Sequence, residues 1–531
     1  MNLNRWDFVL NAPGMTPLHR AGLIGLAASC RTDKVRDWLA ARGVAVRIDG
    51  NRFIIEGLTC EAEVLHAFLT LLYEIDEDGL IRFPLFARLN QSERAAVQNV
   101  MMASFLQHPK SRKADSRPVL RPRSEDNDKE YTFKPLRDFS HRSPGVAEEI
   151  AKARKHGKMI ELAGWAMPGA MVKHNAHASA TAIQDTPERF FLLMLAPLGC
   201  MWYTARAYTE AGDWDPRVEA VVVVPRATNL AEASERLYEF YTAQQLSVPR
   251  MELVAGVADA AMHAAVAFTI TTQSYRVHHD LYAMCFGTVA WSKQQKTRTR
   301  VLTVAKPSRA MALTYREILK ELGNLRYERE DGTQVVLVMP MRERIAENVL
   351  NHRPWYLGFS EYVLGQRGAL LRRWRKGLRN LVHNERVWDD EAKRMFVELI
   401  QQAVANRYGQ VNEKAQQAGA DRGRAFEREY QRMVLDFAHC RSRDMFRHTL
   451  VRFMAQTHPR LKQNEVVSKN IERDLLLRFA IEEPDWREVR DLCLLAIATY
   501  RSRYEEERRD DATGWEETDG DTKVQRIAEE S

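Results

Sequence analysis

The sequence predicts an α+β protein: a mixed α/β N-terminal region followed by a C-terminal all-α helical bundle. Three observations carry that expectation. β-Branched and aromatic runs separated by turn residues concentrate before residue 340. From Met341 onward, apolar residues recur at three- and four-residue spacing almost without interruption. At 531 residues the chain exceeds what one core organises, and an apolar content of 45% is enough to fold several.

Residues 1–106 read as a small α/β unit. Thr16–Ala28 (TPLHRAGLIGLAA) places Leu23, Leu26 and Ala27 on one helical face, with Thr16 as N-cap. Gly22 and Gly25 would let another backbone approach that helix closely. Val44–Ile48 and Phe53–Ile55 flank Asp49-Gly50-Asn51, a hairpin signal. Helical spacing returns at Glu61–Tyr73 and Glu93–Leu106. Residues 107–145 are rich in Pro, Ser and charge, with ten basic and six acidic residues over 107–142. So little apolar surface predicts a basic flexible loop or linker, either simply solvated or touching a phosphate backbone.

Residues 146–340 read as a mixed α+β domain. Its strand candidates are Met159–Ala163, Arg189–Ala196, Trp202–Ala207, Glu219–Val224, Leu281–Ala290, Arg300–Val304 and Val335–Met339. Helices are expected between them at Asn229–Gln245, Asp259–Ala267 and Arg309–Leu322. Residues 341–504 read as a helical bundle, with helices at Asp389–Tyr408, Gly423–Cys440, Arg443–Gln456, Ile471–Phe479 and Asp485–Glu507. Residues 505–531 hold eleven acidic and four basic residues, the signature of an acidic disordered tail. The whole chain carries +7, so residues 1–504 carry +14, and the acidic segment masks half of that charge.

Six scattered cysteines without a C-x-x-C pair argue against a zinc ribbon or a disulfide scaffold. The opening MNLNRWDFVL lacks the layout of a signal peptide, and no apolar run reaches ~18 residues. A cytoplasmic protein with no membrane partner is expected.

Two clusters suit a polyanion. Ser292–Arg309 has six basic residues (Lys293, Lys296, Arg298, Arg300, Lys306, Arg309) and no acidic one. In a strand, Arg298 and Arg300 would share a face toward phosphate oxygens. The alternative is a solvated edge strand protected by its charge. Gln366–Trp388 has seven basic residues against Glu385. On one helix, Leu370, Trp374, Leu378 and Leu381 form an apolar stripe, with Arg372, Arg375, Lys376 and Arg379 opposite and Arg373 beside them. Such a helix could meet nucleic acid, lie on anionic lipid, or be solvated. The Pro168-Gly169-Ala170 turn before Lys173, His174 and Asn175 reads as a binding loop or a polar hairpin.

Enzyme signatures are missing: there is no phosphate-loop motif, no H-E-x-x-H and no G-x-S-x-G. His278, His279 and Asp280 resemble a metal phosphohydrolase pair, as a minor alternative. They lack further ligands at sensible spacing, as do His174 and His177. No catalytic residue, metal site or cofactor is nominated.

Three segments resemble a known family, the large subunit of type I CRISPR Cascade, in its I-B/Myxococcus-type branch. They are LNAPGMTPLHRAGLIGLA (10–27), MPGAMVKHNAHASAT (167–181) with FFLLMLAPLGCMWY (190–203), and NHRPWYLGFSEYVL (351–364). The resemblance implies a non-catalytic subunit near the CRISPR RNA 5′ handle that reads the protospacer-adjacent motif on target double-stranded DNA. It further implies promotion of R-loop formation, contact with backbone, handle-capping and small subunits, and recruitment of a separate helicase–nuclease. A transposon-associated complex recruiting transposition factors has the same sequence signature. In some relatives the bundle is also made alone from an internal start; Met395 is the candidate by position.

Overall fold

The computed structural model describes residues 3–124, 127–168, 183–206, 219–243, 253–270, 280–291, 294–305, 307–328, 334–459 and 465–500. The chain divides into two compact units, Met1–Arg353 and Pro354–Ser531. The division falls at Arg353/Pro354 and not at 340/341, because the helix Arg342–Leu350 is anchored in the first unit. Arg342 is fully buried there, its Nε 2.6 Å from Asp259 Oδ2, and Tyr315 donates to Asp259 Oδ1 (2.6 Å). A buried pair of this kind is tolerated only when its remaining donors are satisfied. Asn324 Oδ1 and the Leu253 carbonyl accept the other guanidinium bonds at 2.7 Å each.

In the first unit, Thr16 caps the helix Pro17–Ser29, as its sequence announces. The expected hairpin forms from Ala45–Asp49 and Arg52–Glu56, with Gly50 at φ +56°. Arg5–Val9 adds a third antiparallel strand against Arg52–Glu56. The two spaced glycines do what their spacing suggested. A Cβ on Gly22 would lie 1.9 Å from the Leu192 carbonyl oxygen, and one on Gly25 would lie 2.4 Å from Gly199 N. Gly199 returns the approach, since its Cβ would sit 1.9 Å from the Ala21 oxygen. The helix therefore crosses residues 192–199 backbone to backbone.

That crossing partner corrects one expectation. Arg189–Ala196 is not a strand; Pro187–Leu195 is a helix capped by Thr186, followed by the 3₁₀ turn Ala196–Gly199. Its residues Phe190–Ala196 are all buried. Burial on every side removes the 3.6-residue period that would have marked a helix. The Thr186-Pro187-Glu188 start was the available signal.

The segment 107–145 is a second correction. It is built into the first unit through the strands Arg112–Ala114, Val119–Ser124, Asn127–Phe133 and Leu136–Phe139. A few anchors suffice: Phe133, Leu136, Phe139 and His141 are buried. Gln98 also ties the segment to the helix Gln91–Ala103, donating to the Gly79 and Lys134 carbonyls and accepting from Ile81 N.

The main sheet has five strands in the order Leu253–Val254, Met201–Ala205, Glu219–Arg226, Asp280–Trp291, Gln294–Val304. The first pair is parallel and the rest antiparallel. The helix Val257–Ile270 covers one face, while Pro17–Ser29 and Gln91–Ala103 pack against the central strands. Successive strand residues show the two sides: Trp202 meets Phe105 (5.9 Å between centroids), and Tyr203 meets His263 (5.4 Å). Gln294–Val304 lies at the sheet's edge among the described strands.

The second unit is helical, as expected: Gly365–Leu371, Arg375–Val382, Glu391–Gln417, Arg422–Ala438, Arg443–Thr457, Glu465–Leu477 and Trp486–Thr499. Asp390, Asp421, Ser442 and Asp485 cap four of them with side-chain oxygens. Residues 505–531, expected as a disordered tail, lie outside the described residues.

Candidate nucleic-acid interface

The cluster at 366–388 is not one helix. Gly365–Leu371 passes through a 3₁₀ turn, Arg372–Trp374, into Arg375–Val382. The change of pitch makes Leu371 the buried residue in place of Leu370; Trp374, Leu378, Leu381 and Val382 continue the buried stripe. Trp374 is 2% exposed, so a large apolar anchor holds the arginine-bearing turn against the bundle.

The basic residues then divide by what they touch. Arg372 forms a two-pronged pair with Glu427 (2.9 and 3.3 Å) and lies 4.7 Å from the Tyr430 ring, tying this turn to the helix Arg422–Ala438. Arg375 donates to the Tyr500 carbonyl. Arg373 and Arg379 are half-buried, and Lys376 is exposed. Among the described residues no ion pair is made by Lys376, Arg379 or Arg386, which leaves them the cations best placed for an external anion.

The helix that Arg372 grips was expected at Gly423–Cys440, but its row of exposed arginines was missed. Arg424, Arg428 and Arg432 recur every four residues along Arg422–Ala438 and are all exposed. The four-residue spacing in RGRAFEREYQR was the signal.

The cluster at 292–309 maps to the edge strand. Lys296, Arg298 and Arg300 pair in register with Val289, Gly287 and Cys285, at every second position. Arg309 begins the helix Arg309–Glu321, behind the N-cap Ser308. Lys293 and Lys306 lie outside the described residues, as do Lys173, His174, Asn175, His278 and His279. Asp280 opens its strand opposite Arg226, 3.9 Å away. Among the described residues, no three or more His, Cys, Asp and Glu side chains are grouped to hold a metal.

The segments that carried the family resemblance are structural where they are described. His19 Nε2 donates to Asp185 Oδ2 (2.9 Å), and Nδ1 accepts from Thr16 N (3.2 Å). Arg189 pairs with Asp185 and donates to the Pro13 carbonyl (3.1 Å), which fastens residues 10–27 to the start of the helix beneath them. Burial alone would raise the Asp185 carboxyl, but His19, the Thr186 amide and Arg189 outweigh it and hold it below the usual range.

In the second unit, Tyr356 donates to Glu488 (2.7 Å), and Asp491 accepts from Gly358 N (2.7 Å) and Ser360 N (3.0 Å). Residues 354–364 are thereby bound to the helix Trp486–Thr499. Burial raises the Asp491 carboxyl despite these bonds.

The fold and this surface define a class: a large α+β chain ending in a helical bundle with an exposed basic segment. Models of the DevT N-terminal domain and the DevT C-terminal domain match residues 7–194 and 383–525. A CRISPR-associated protein Cas8a1/Csx13 from Myxococcus xanthus (strain DK1622) is 26% identical, in a match covering 93% of this chain and 88% of that protein. The chain belongs to the DevT family of CRISPR-associated, Cas8-type large subunits of the Myxococcus type.

Proposed function

We propose that this chain is the non-catalytic large subunit of a type I effector complex that binds the CRISPR RNA handle and target double-stranded DNA. In this reading it reads the protospacer-adjacent motif, promotes R-loop formation and helps recruit a separate helicase–nuclease. It sits among backbone, handle-capping and small subunits. The observation that carries the reading is the exposed cationic side of Arg375–Val382, where Lys376 and Arg379 stand beside arginines already committed to the fold. Cations without an ion-pair partner, on a helix that the buried Trp374 anchors, suit a phosphate backbone, because the main chain that carries them is already ordered.

Lys296, Arg298 and Arg300 on the edge strand form a second proposed phosphate-binding strip, with Lys293 beside them. Arg372, Arg373 and Arg375 add to the field at the first. Lys173, His174 and Asn175 are proposed to lie near the motif-reading position, since lysine can donate to a guanine edge and asparagine can pair with an adenine edge.

Salt titrations of the reconstituted complex on target duplex DNA test the phosphate-binding role. The double variants Lys376→Ala with Arg379→Ala, and Arg298→Ala with Arg300→Ala, should each show a shallower log–log salt slope, by ~0.9 for every phosphate no longer neutralised. A motif-library assay separates reading from clamping: Lys173→Ala and Asn175→Ala should shift motif preference, while the cluster variants leave it unchanged. Unaltered slopes and preferences in all these variants would overturn the assignment.

The separately made bundle belongs to the same proposal. Met395 lies inside Glu391–Gln417, beyond its Asp390 cap and the Lys393–Glu488 pair (2.7 Å). Mass spectrometry of the purified complex should show a species beginning near Met395; its absence rules that start out.

A further inference from the structure

We propose that His141 is an acid-released latch: it holds residues 107–145 on the first unit while its ring is neutral, and frees them when the ring takes up a proton. The inference is independent of the nucleic-acid reading.

His141 sits in the 3₁₀ turn Ser140–Arg142, between the strand Leu136–Phe139 and the helix Pro144–His156. Its side chain is fully buried, and among the described residues neither ring nitrogen meets a hydrogen-bond partner. Four rings from separate stretches of chain enclose it: Trp165 (5.2 Å between centroids), Phe105 (5.8 Å), Phe139 (6.0 Å) and Tyr73 (6.1 Å). Buried polar groups are almost always bonded, so an imidazole with both nitrogens unmet calls for a cause. Phenylalanine would fill the box without that cost; what the imidazole adds is a proton site.

Among the described residues no carboxylate faces the ring to receive a charge there. Tyr73, the ionisable ring of the four, donates its hydroxyl to the Met194 carbonyl (2.5 Å). Arg142 turns to the Tyr73 carbonyl (2.7 Å) and to Asp138 (3.5 Å). The helices packed against the turn are Ala62–Leu72, Pro144–His156 and Pro187–Leu195. On them Arg154 pairs with Glu188 and Arg189 with Asp185, and His66 is half-buried. Glu63, Glu148, Glu149, Lys152, Lys155 and His156 are exposed. Burial alone therefore acts on the imidazole and pushes it down from 6.5 to about 3.

The freed ring titrates near 6.5, so the closed box is at full strength above that pH and weakens as pH falls toward 3. The segment is built to leave as a piece. Its strands pair with each other, Arg112–Ala114 with Leu136–Phe139 and Val119–Ser124 with Asn127–Phe133, and belong to neither of the larger sheets. Opening it breaks no ladder of the five-stranded sheet. Trp165 is the one enclosing ring that is not fully buried, so the way out for the charged imidazole lies past it.

Hydrogen exchange of the full-length chain, corrected for intrinsic rates, tests the latch. The amides of Asp115 and Leu136 are bonded to the Pro135 and Gly79 carbonyls. Between about pH 7.5 and about pH 4.5 their protection should fall about a hundredfold, about tenfold for each unit below 6.5. The strand Glu219–Arg226 should keep its protection over that range. His141→Phe should abolish the pH dependence. His141→Gln, polar but not ionisable, should open more at every pH by a factor that does not change with pH. Constant protection of the segment in wild type overturns the latch whether or not either variant folds. A wild-type profile in either variant overturns it as well. So does loss of protection at Glu219–Arg226 in step with the segment, since the whole unit would then be yielding to acid.

Discussion

Arg372 and Lys376 stand four positions apart in the same basic run and do different work. Arg372 is spent inside the fold, on Glu427 and the face of Tyr430, and Lys376 is open. Arg372→Ala should lower the bundle's stability by about 1 kcal/mol, the scale of an exposed pair with a ring interaction, and leave the salt slope of nucleic-acid binding nearly unchanged. Lys376→Ala should do the reverse; chemical denaturation alongside salt titration separates the two. The sequence shows seven positive residues in a run of helical spacing but not this division. The partners of Arg372 and Arg375 lie 55 and 125 positions away, and no local pattern announces a pairing across such distances. Gly22 is the opposite case, legible from spacing alone. Its Ala variant would push a methyl into the Leu192 carbonyl, backbone that cannot turn aside. Gly22→Ala should cost about 3 kcal/mol or more in a denaturant melt of the first unit.

At the scale of elements, local chemistry decided what could be read. The Thr16-Pro17 start and the Asp49-Gly50-Asn51 turn carry their conformations in their own side chains, so helix and hairpin emerge as expected. Pro187–Leu195 did not, because an element buried all round shows no period. Residues 107–145 misled for the converse reason: composition averages over the segment, while a few buried anchors, Phe133, Leu136, Phe139 and His141 among them, fix its course. Helix junctions also create chemistry that no sequence shows. Glu343 lies at the start of Val257–Ile270, accepting from Ala258 N (3.0 Å) and Asp259 N (2.9 Å). Burial outweighs those two bonds and raises its carboxyl from 4.5 to about 7. A carboxyl raised in the folded state favours folding when protonated. That contribution is full below pH 4.5 and fades as pH rises through about 7. Melting temperatures of the first unit should fall across that window, and Glu343→Gln should flatten the fall. An identical pH profile in the variant would show that Glu343 does not titrate there.

For the whole molecule, the chain's +7 understates its appetite for polyanions, because opposite charges are segregated along it. Among the described residues no helix is long and apolar enough to cross a membrane, and the basic side of Arg375–Val382 stands above a buried stripe that is already satisfied by the bundle. The same stripe that a lipid surface would need is thus occupied, which leaves charge as the available mode of attachment. The fold class and the helical second unit were readable from periodicity; the boundary at Arg353/Pro354 was not, since it depends on Arg342 reaching Asp259. If Lys376 and Arg379 grip a nucleic-acid backbone, the salt dependence of target-duplex binding must register their removal. For the reconstituted complex carrying Lys376→Ala and Arg379→Ala, the log–log slope should be shallower by ~0.9 for each phosphate left unneutralised. The bundle's melting temperature should stay where it is. A slope equal to wild type would show instead that this face is only solvated and that nucleic acid is held elsewhere.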